Sequence, residues 1–530
     1  MRRVMVLLLA ALFALGITGA AFAKGSTEGA AASGQPVKIK YWKELNADKL
    51  APIFKNLGES DLYKELQKRL NVEITFLHAP SSNVADQFNL IVASQDLPDI
   101  MERDLYGTYP GGPAKAIADG VTQRHNEIFE KYAPNLSALY KAHPEWAKQA
   151  KIDDGSFYGF PFIRGAPALA VWNGPIFRKD WLDELGLKSP VTIDDWYATL
   201  TAFKTKKGIA YPFSFREKGV GQDGDDLFFG GSLSGAWDVS RGFYLNAKGD
   251  VEYGPIQPGW KDFLTTMAKW FKEGLIDPDF PVQDTQTWRA KVMSNKVGAF
   301  IGNVGGGMGF FYDNLKKTNP SFTLVGVPDP VLKAGQMSRF GQKDWDAHIP
   351  SSAFITPKNK NVPVSAKLLD YGYGKEGDIL FNFGVEGKSF NWVNGYPKYT
   401  DIITHDPNYS MSVAMSRWMR SHYDGPFVQR IEYFEQFMAY PDQVATAKIW
   451  GASSDFTWRM PRIAATAEES TKLASIMNEV NVYTDEMFVK FIMGQASLDQ
   501  WDAYVAQVKK LKIDEATALR RAALERYNKR

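Results

Sequence analysis

Fifteen tryptophans stand in a chain of 530 residues that has no cysteine and six histidines, and this imbalance narrows the chemistry on offer. His78, His125, His143, His348, His405 and His422 all lie more than a helical turn apart. A zinc site would have to gather them from distant segments, with no thiolate to help, so no metal is expected. Gly387-Lys388-Ser389 ends like a phosphate-binding loop, but Asn382 stands where that motif needs its first glycine. Gly230-Gly231-Ser232-Leu233-Ser234 has Ser234 where a nucleophile elbow needs glycine, and a flexible loop explains it better. Gly305-Gly306-Gly307-Met308-Gly309 lacks dinucleotide-binding spacing and reads as a tight ligand loop. Asp223, Asp225 and Asp226 read as a solvated loop. Sixty acidic residues offer many carboxylate pairs for glycoside hydrolysis, yet no local signature nominates one. No catalytic residue and no cofactor is expected. Binding remains: aromatic residues make up 14% of the chain, and their flat apolar faces with polar edges suit sugar rings.

Residues 1–23 read as a secretory signal peptide. Arg2 and Arg3 precede an apolar run from Val4 to Ile17, and Ala21-Phe22-Ala23 fits the cleavage site. The run is too short for a membrane span of roughly 20 residues. Residues 24–35 are rich in Gly, Ala and Ser and read as a flexible leader. Removing the signal takes two arginines and no acids, so Lys+Arg falls from 62 to 60 against 60 Asp+Glu. A formally neutral mature chain argues against nucleic-acid binding, which needs a basic excess. It gives little sign of an anionic ligand, although a local basic patch stays open. About 500 remaining residues exceed one typical core, so two or more lobes are expected.

Val37, Ile39 and Tyr41 alternate with polar residues or Trp42, a strand pattern, and so do Val72, Ile74 and Phe76. Between them Leu62, Leu66 and Leu70 recur four apart, a helix. Strand, helix, strand in this order implies a parallel α/β sheet. Ligands of such sheets sit outside the carboxyl ends of the strands, which puts Trp42, Lys43 and Glu44 after the first strand and Glu102 to Tyr106, Asp104 included, after the third beside a cleft. Ala168 to Trp172 reads as a strand that Asn173-Gly174-Pro175 breaks. Thr192 with Asp195 makes a weak capping box for a helix carrying Trp196, Leu200 and Phe203. Tyr211 to Trp237 shows no period and reads as loop with short helices.

Phe177-Arg178-Lys179-Asp180-Trp181 through Trp196 resembles a signature of family 1 extracellular solute-binding proteins, the receptors of carbohydrate ABC importers. Tyr63 to Ile74, Ala93 to Ile100, Asp154 to Arg164, Lys272 to Phe280, Ser351 to Asn361, Phe383 to Gly395 and Lys490 to Val505 are similar to further segments of that family in the same order. The resemblance implies a two-lobed α/β periplasmic-binding-protein fold, type II-like, with an interlobe cleft and extra C-terminal helices. It implies a first lobe of 36–165 that returns at 343–380, a second lobe of 166–342, and a helical part, 381–530, mainly on the second lobe. It also implies capture of a carbohydrate, an oligosaccharide given the large aromatic-rich chain, by hinge closure, and delivery to membrane permease subunits. Same-fold reception of a peptide or other solute, and a secreted glycoside-active enzyme, are the alternatives. Many relatives hold calcium after the helix ending near Phe203, but Lys204-Thr205-Lys206-Lys207-Gly208 offers cations there. With no cysteine to carry a lipid, the mature protein is expected as a free, soluble monomer, periplasmic or secreted.

The expected sugar platforms are Trp42, Trp172, Trp237, Trp345 and Trp392. Glu44, Asp104, Asn173, Asn303 and His348 are the expected hydrogen-bonding groups, since ligand pockets join aromatic walls to a few polar groups. Arg178 and Trp181 lie at helical spacing and are expected to pack.

Overall fold

The computed structural model describes residues 34–46, 50–79, 83–216, 232–421 and 425–530. The expected signal peptide, nearly all of the leader and the Asp223–Asp226 acids fall outside these residues. The first strand, β1 (Val37–Lys43), runs parallel to β2 (Val72–Leu77), with Val37 opposite Val72 and Trp42 opposite Leu77. Helix Asp61–Leu70 connects them; Ser60 Oγ accepts from Tyr63 N–H at its start, and Asn71 ends it in the left-handed region at φ 50°. β3 (Ile100–Glu102) lies parallel to β1 on the other side. Five short helices follow, three of them opening on a proline in the first turn, including Pro134–Ala142 and Pro144–Ala150. β4 (Phe160–Arg164) then joins the same sheet.

The chain next enters a second sheet, and here the strand expectation is corrected. Pro167–Leu169 is a single 3-10 turn, and the strand is β5 (Asn173–Arg178), which contains Asn173-Gly174-Pro175 instead of ending at it. Trp450 is the reason. Val327 N–H donates to Pro175 O at 3.0 Å, and in an antiparallel pair Val327 O would receive the return bond from residue 175. Proline has no N–H to give, and Trp450 Nε1 supplies it, 3.1 Å from Val327 O. The indole lies flat on Gly174, where an added Cβ would sit 2.7 Å from Cε2. A glycine and a proline that look like turn chemistry are thus fitted to one buried tryptophan.

Helix Ile193–Lys207 starts with both capping-box bonds formed between Thr192 and Asp195. β6 (Tyr211–Ser214) was expected as loop; it is a short, mostly buried edge strand running parallel to the strand Val297–Asn303. β7 (Phe243–Leu245) and β8 (Val251–Tyr253) form a separate ribbon. β9 (Val297–Asn303) is buried throughout, and β10 (Leu324–Gly326) completes a sheet ordered β10-β5-β9-β6. The Gly305–Gly309 stretch is not a loop: Val304–Met308 forms a wide helical turn that runs into helix Gly309–Leu315. β11 (Ala347–Ile355) returns to the first sheet between β3 and β4, β12 (Phe390–Val393) and β13 (Tyr396–Tyr399) make a second ribbon, and β14 (Val428–Gln429) closes the edge. The first sheet reads β14-β4-β11-β3-β1-β2.

Each sheet is covered on both faces. Ile39 and Tyr41 pack with Leu62, Leu369 and Leu380 on one face of the first sheet, and Trp42 packs with Val84, Phe88 and Ala116 on the other. In the second, Trp196 stands edge-on to Phe177 and Phe213 at 4.8 and 5.5 Å, pairs worth about 0.5–1.5 kcal/mol each beyond their buried area. Arg178 packs as expected, stacked 3.9 Å over Trp181 and bonded to Asp180 and Asn295. The long helix Ala467–Ile492 packs against Gly112–Ala118 beside the first sheet and against Pro258–Lys272 beside the second.

Candidate functional site

The strand order brings the carboxyl ends of β4, β3, β1 and β2 to one edge of the first sheet, at Arg164, Glu102, Lys43 and Leu77, together with the start of antiparallel β11 at Ala347. In the second sheet the ends of β9 and β6 and the start of β5 share an edge, at Asn303, Ser214 and Asn173. The backbone passes from one edge to the other at 165–172 and returns by 342–347.

A buried latch joins these two passages. Arg164 donates Nε and Nη2 to Asp344 Oδ2 at 2.9 and 2.6 Å, and Nη1 to Gln429 Oε1 at 2.7 Å. Trp172 Nε1 donates to the same Asp344 oxygen at 2.9 Å. Gln342 Oε1 accepts from the backbone N–H of Trp172 and Asn173 at 2.7 and 3.1 Å. The charge of Arg164 is thereby matched out of water, where losing one partner of such a pair costs about 3–5 kcal/mol.

A second buried cluster sits farther along the same edge. Glu102 accepts from Tyr41 Oη at 2.8 Å, from Lys43 Nζ and from Arg420 Nη2 at 2.6 Å; Arg420 Nη1 donates to Tyr63 Oη at 2.9 Å. Burial pushes the Glu102 carboxyl up, but Arg420 and Lys43 outweigh it and hold it below the ordinary carboxylate range. Burial pushes the Tyr63 hydroxyl up to about 12. These groups satisfy one another and fix where β1 and β3 end.

The expected site residues do not stay together. Trp172 and Trp345 stand half-buried at the crossings, Glu44 lies half-buried just past β1, and Asn173 is buried at the start of β5. Asp104 and Asn303 are at strand ends, but their side chains serve the backbone: Asp104 Oδ1 accepts from Tyr106 and Gly107 N–H at 3.0 Å each, and Asn303 Oδ1 accepts from Gly307 N–H. Trp237 is half-buried against Phe263, ring centres 5.6 Å apart. Trp42 is corrected outright. It is 2% exposed and packed on Phe88, because alternation along β1 turns it into the layer under helix Val84–Ser94. Trp392 stands on the β12–β13 ribbon, 42% exposed and outside both main sheets. The backbone of His348 pairs with Phe162 in β11, and its side chain lies outside what the structure describes.

Sequence reasoning missed the strap 454–466. It leaves helix Pro441–Ser453, bridges Ser338 at Ser454, accepts from Leu245 N–H at Trp458 O, then receives Tyr106 Oη at Ile463 O, 3.0 Å away, and Asp153 N–H at Ala464 O, also 3.0 Å. It thus runs from the second sheet's side to the first. Arg459 lies 4.8 Å over the Trp345 ring, and Arg462 lies 5.0 Å over Tyr106. Only the paired arginines of W-R-M-P-R could have signalled it. Two cavities of about 440 and 470 Å3 lie apart from this region, one beside Arg178 and Trp181, the other between Phe54, Tyr409 and Trp418.

Comparison with known proteins places this architecture. The chain is similar to the fructooligosaccharide ABC transporter substrate-binding protein FusA of Streptococcus pneumoniae serotype 4, 24% identical with 89% of this chain and 88% of that protein covered. It is 28% identical to the polygalacturonan/rhamnogalacturonan-binding protein YtcQ of Bacillus subtilis, over 53% of each. Among solved structures, the alginate-binding protein AlgQ2 without calcium ion superposes at TM-score 0.74 with 26% identity, covering 93% of this chain and 98% of that one. The fold is therefore the two-lobed α/β one of solute-binding proteins. Among the described residues no helix is long and apolar enough to cross a membrane. The profile of the bacterial extracellular solute-binding proteins matches residues 47–379, and the chain belongs to that family.

Proposed function

We propose that this chain is the substrate-binding receptor of an ABC importer, that it captures an oligosaccharide between its two lobes, and that it hands the sugar to a membrane permease. The observation that carries this reading is the paired sheet edges, crossed by a latched hinge and flanked by half-buried Trp172, Trp345 and Tyr106. Aromatic walls with polar groups between them suit sugar rings. Relatives named for fructooligosaccharide, for polygalacturonan and rhamnogalacturonan, and for melibiose, raffinose and stachyose support it. In this reading residues 1–23 are cleaved, the first lobe comprises 36–165 and 343–380, and the mature protein works in the periplasm without covalent chemistry. A ligand touched by both lobes favours the closed state, since a ligand shifts an equilibrium by its differential affinity.

The test is a thermal-shift screen of the chain from Lys24 onward against oligosaccharides, peptides and other solutes. A ligand at 100 times its Kd adds about 2.7 kcal/mol of stability. A shift with a saccharide that is recovered intact is the expected result. Shifts with peptides or other solutes alone, or a cleaved saccharide, would overturn it.

A further inference from the structure

The fold treats its arginines in two ways. Arg164, Arg178, Arg420 and Arg430, all at least partly buried, each hold a carboxylate, respectively of Asp344, Asp180, Glu102 and Glu432. Arg103, Arg459 and Arg462 do not. Each is half-buried with its guanidinium laid on an aromatic ring, of Phe88, Trp345 and Tyr106 respectively. Among the described residues none of the three side chains forms an ion pair or donates a hydrogen bond. Nε of Arg103 and Nη1 of Arg462 are fully out of contact with solvent and have no acceptor. A buried charged donor without a partner is costly, and two of them in one neighbourhood, beside the ring-stacked Arg459, call for an acceptor that the described residues do not supply.

They are one neighbourhood. Arg103 follows Glu102 at the end of β3, and Tyr106, which carries Arg462, lies three residues on. Arg462 and Asp104 both act on the hydroxyl of Tyr158, and Arg462 acts on Arg459. Burial, opposed by Asp344 and reinforced by the like-charged Arg462, lowers the basicity of Arg459 to about 10. Burial also lowers Arg103, against Glu44 and Asp104. Of these acids, Asp344 is held by Arg164 and Trp172, and Asp104 caps the turn at Tyr106. Among the described residues Glu44, alone of these acids, is left without a hydrogen bond or ion pair, one carboxylate against three guanidinium groups.

Taking the receptor reading above as given, we propose that the captured oligosaccharide is acidic, and that Arg103, Arg459 and Arg462 receive the carboxylates of its uronic acid residues. A guanidinium presents a planar fork that matches a carboxylate with two parallel bonds. The ring beneath each fork fixes its plane and adds cation–π attraction. Trp345 and Tyr106 leave the adjoining aromatic surface for the sugar faces. The neutral net charge of the chain does not bear on this, because the basic patch is local.

The experiment is isothermal titration of the mature chain with trimers and tetramers of galacturonate, mannuronate and guluronate. Each is paired with the same oligomer reduced at carbon 6 to the neutral sugar, and a sulfated neutral oligomer forms a third arm. A uronate oligomer is expected to bind at least about 10-fold tighter than its reduced counterpart, as charge-assisted bonds imply. Arg459→Gln and Arg462→Gln should each weaken that binding about 10- to 100-fold, and Arg462→Lys, which keeps charge but loses the fork, should fall between. Unchanged circular dichroism and melting temperature will separate lost recognition from lost folding. Tight binding of neutral oligomers with no preference for the acidic form overturns the proposal and leaves the carbohydrate reading intact. Preference for the sulfated arm overturns the carboxylate assignment, and failure of every saccharide overturns both readings.

Discussion

Replacing Gly174 with alanine tests the account of β5 at its tightest point. The new methyl carbon would lie 2.7 Å from Cε2, 2.8 Å from Nε1 and 2.9 Å from Cδ2 of Trp450, all closer than carbon atoms approach without repulsion. The indole is 1% exposed and belongs to the same buried cluster as Ile176, Leu324 and Val304, so it has to shift within a packed core. Overpacking of this kind costs about 1–3 kcal/mol. The shift also pulls Nε1 away from Val327 O and Pro175 O, at 3.1 and 3.2 Å, and Pro175 has no N–H to take its place, adding about 1 kcal/mol. The expected loss for Gly174→Ala is therefore about 2–4 kcal/mol. The assay is urea denaturation followed by circular dichroism, for the single variants and for Gly174→Ala/Trp450→Ala. Trp450→Ala alone should cost about 3–5 kcal/mol, and in that background the methyl group should cost nothing, since alanine in a strand is better than glycine by about 0.5–1 kcal/mol. The reasoning fails if Gly174→Ala lies within about 0.5 kcal/mol of wild type, or if its cost is the same with and without the indole.

Two further outcomes follow from buried acids. Asp344→Ala strands Arg164 and the Trp172 indole together, and should destabilise by about 3–5 kcal/mol in urea titration while weakening ligand binding; Arg164→Met/Asp344→Leu should recover most of the stability but not the binding. Asp329 is buried, and burial pushes its carboxyl up to about 7 despite hydrogen bonds from Ser232 and Ser453. Between its unfolded value near 4 and 7, the native state holds a proton that the unfolded state has lost, so stability falls as pH rises through this window. Asp329→Asn removes that dependence, and its stability relative to wild type should be higher at pH 8 than at pH 5; an equal difference at both pH values would refute it.

Local order was legible wherever one periodicity acted alone. The alternation in β1 and β2 and the fourfold leucine spacing of helix Asp61–Leu70 gave the parallel sheet edge, and Thr192 with Asp195 marked a helix start that forms both bonds. The resemblance carried the two-lobed fold, which periodicity alone could not. What sequence hid was set by distant partners. Pro175 reads as a breaker unless Trp450, far along the chain, is known to replace its N–H. Trp42 reads as an edge residue until Phe88 is seen to cover its face of the sheet. Arg459 and Arg462 lie on an extended strap without regular structure, so no pattern marked them, and only the contacts with Trp345 and Tyr106 reveal where they point.

The place of β11 has a temporal consequence. It lies between β3 and β4 and pairs Phe354 with Met101 and Ala347 with Ile163, so the centre of the first sheet is filled by a strand that leaves the ribosome long after both its neighbours. Until then β3 and β4 have no shared partner, and the edge that carries Glu102, Arg103 and Arg164 has no fixed geometry. Such distant pairing pays chain-closure entropy before it gains contacts, which makes folding slow. A nascent chain of this design therefore stays loose and threadable until β11 emerges, and the edge carrying Glu102, Arg103 and Arg164 matures late.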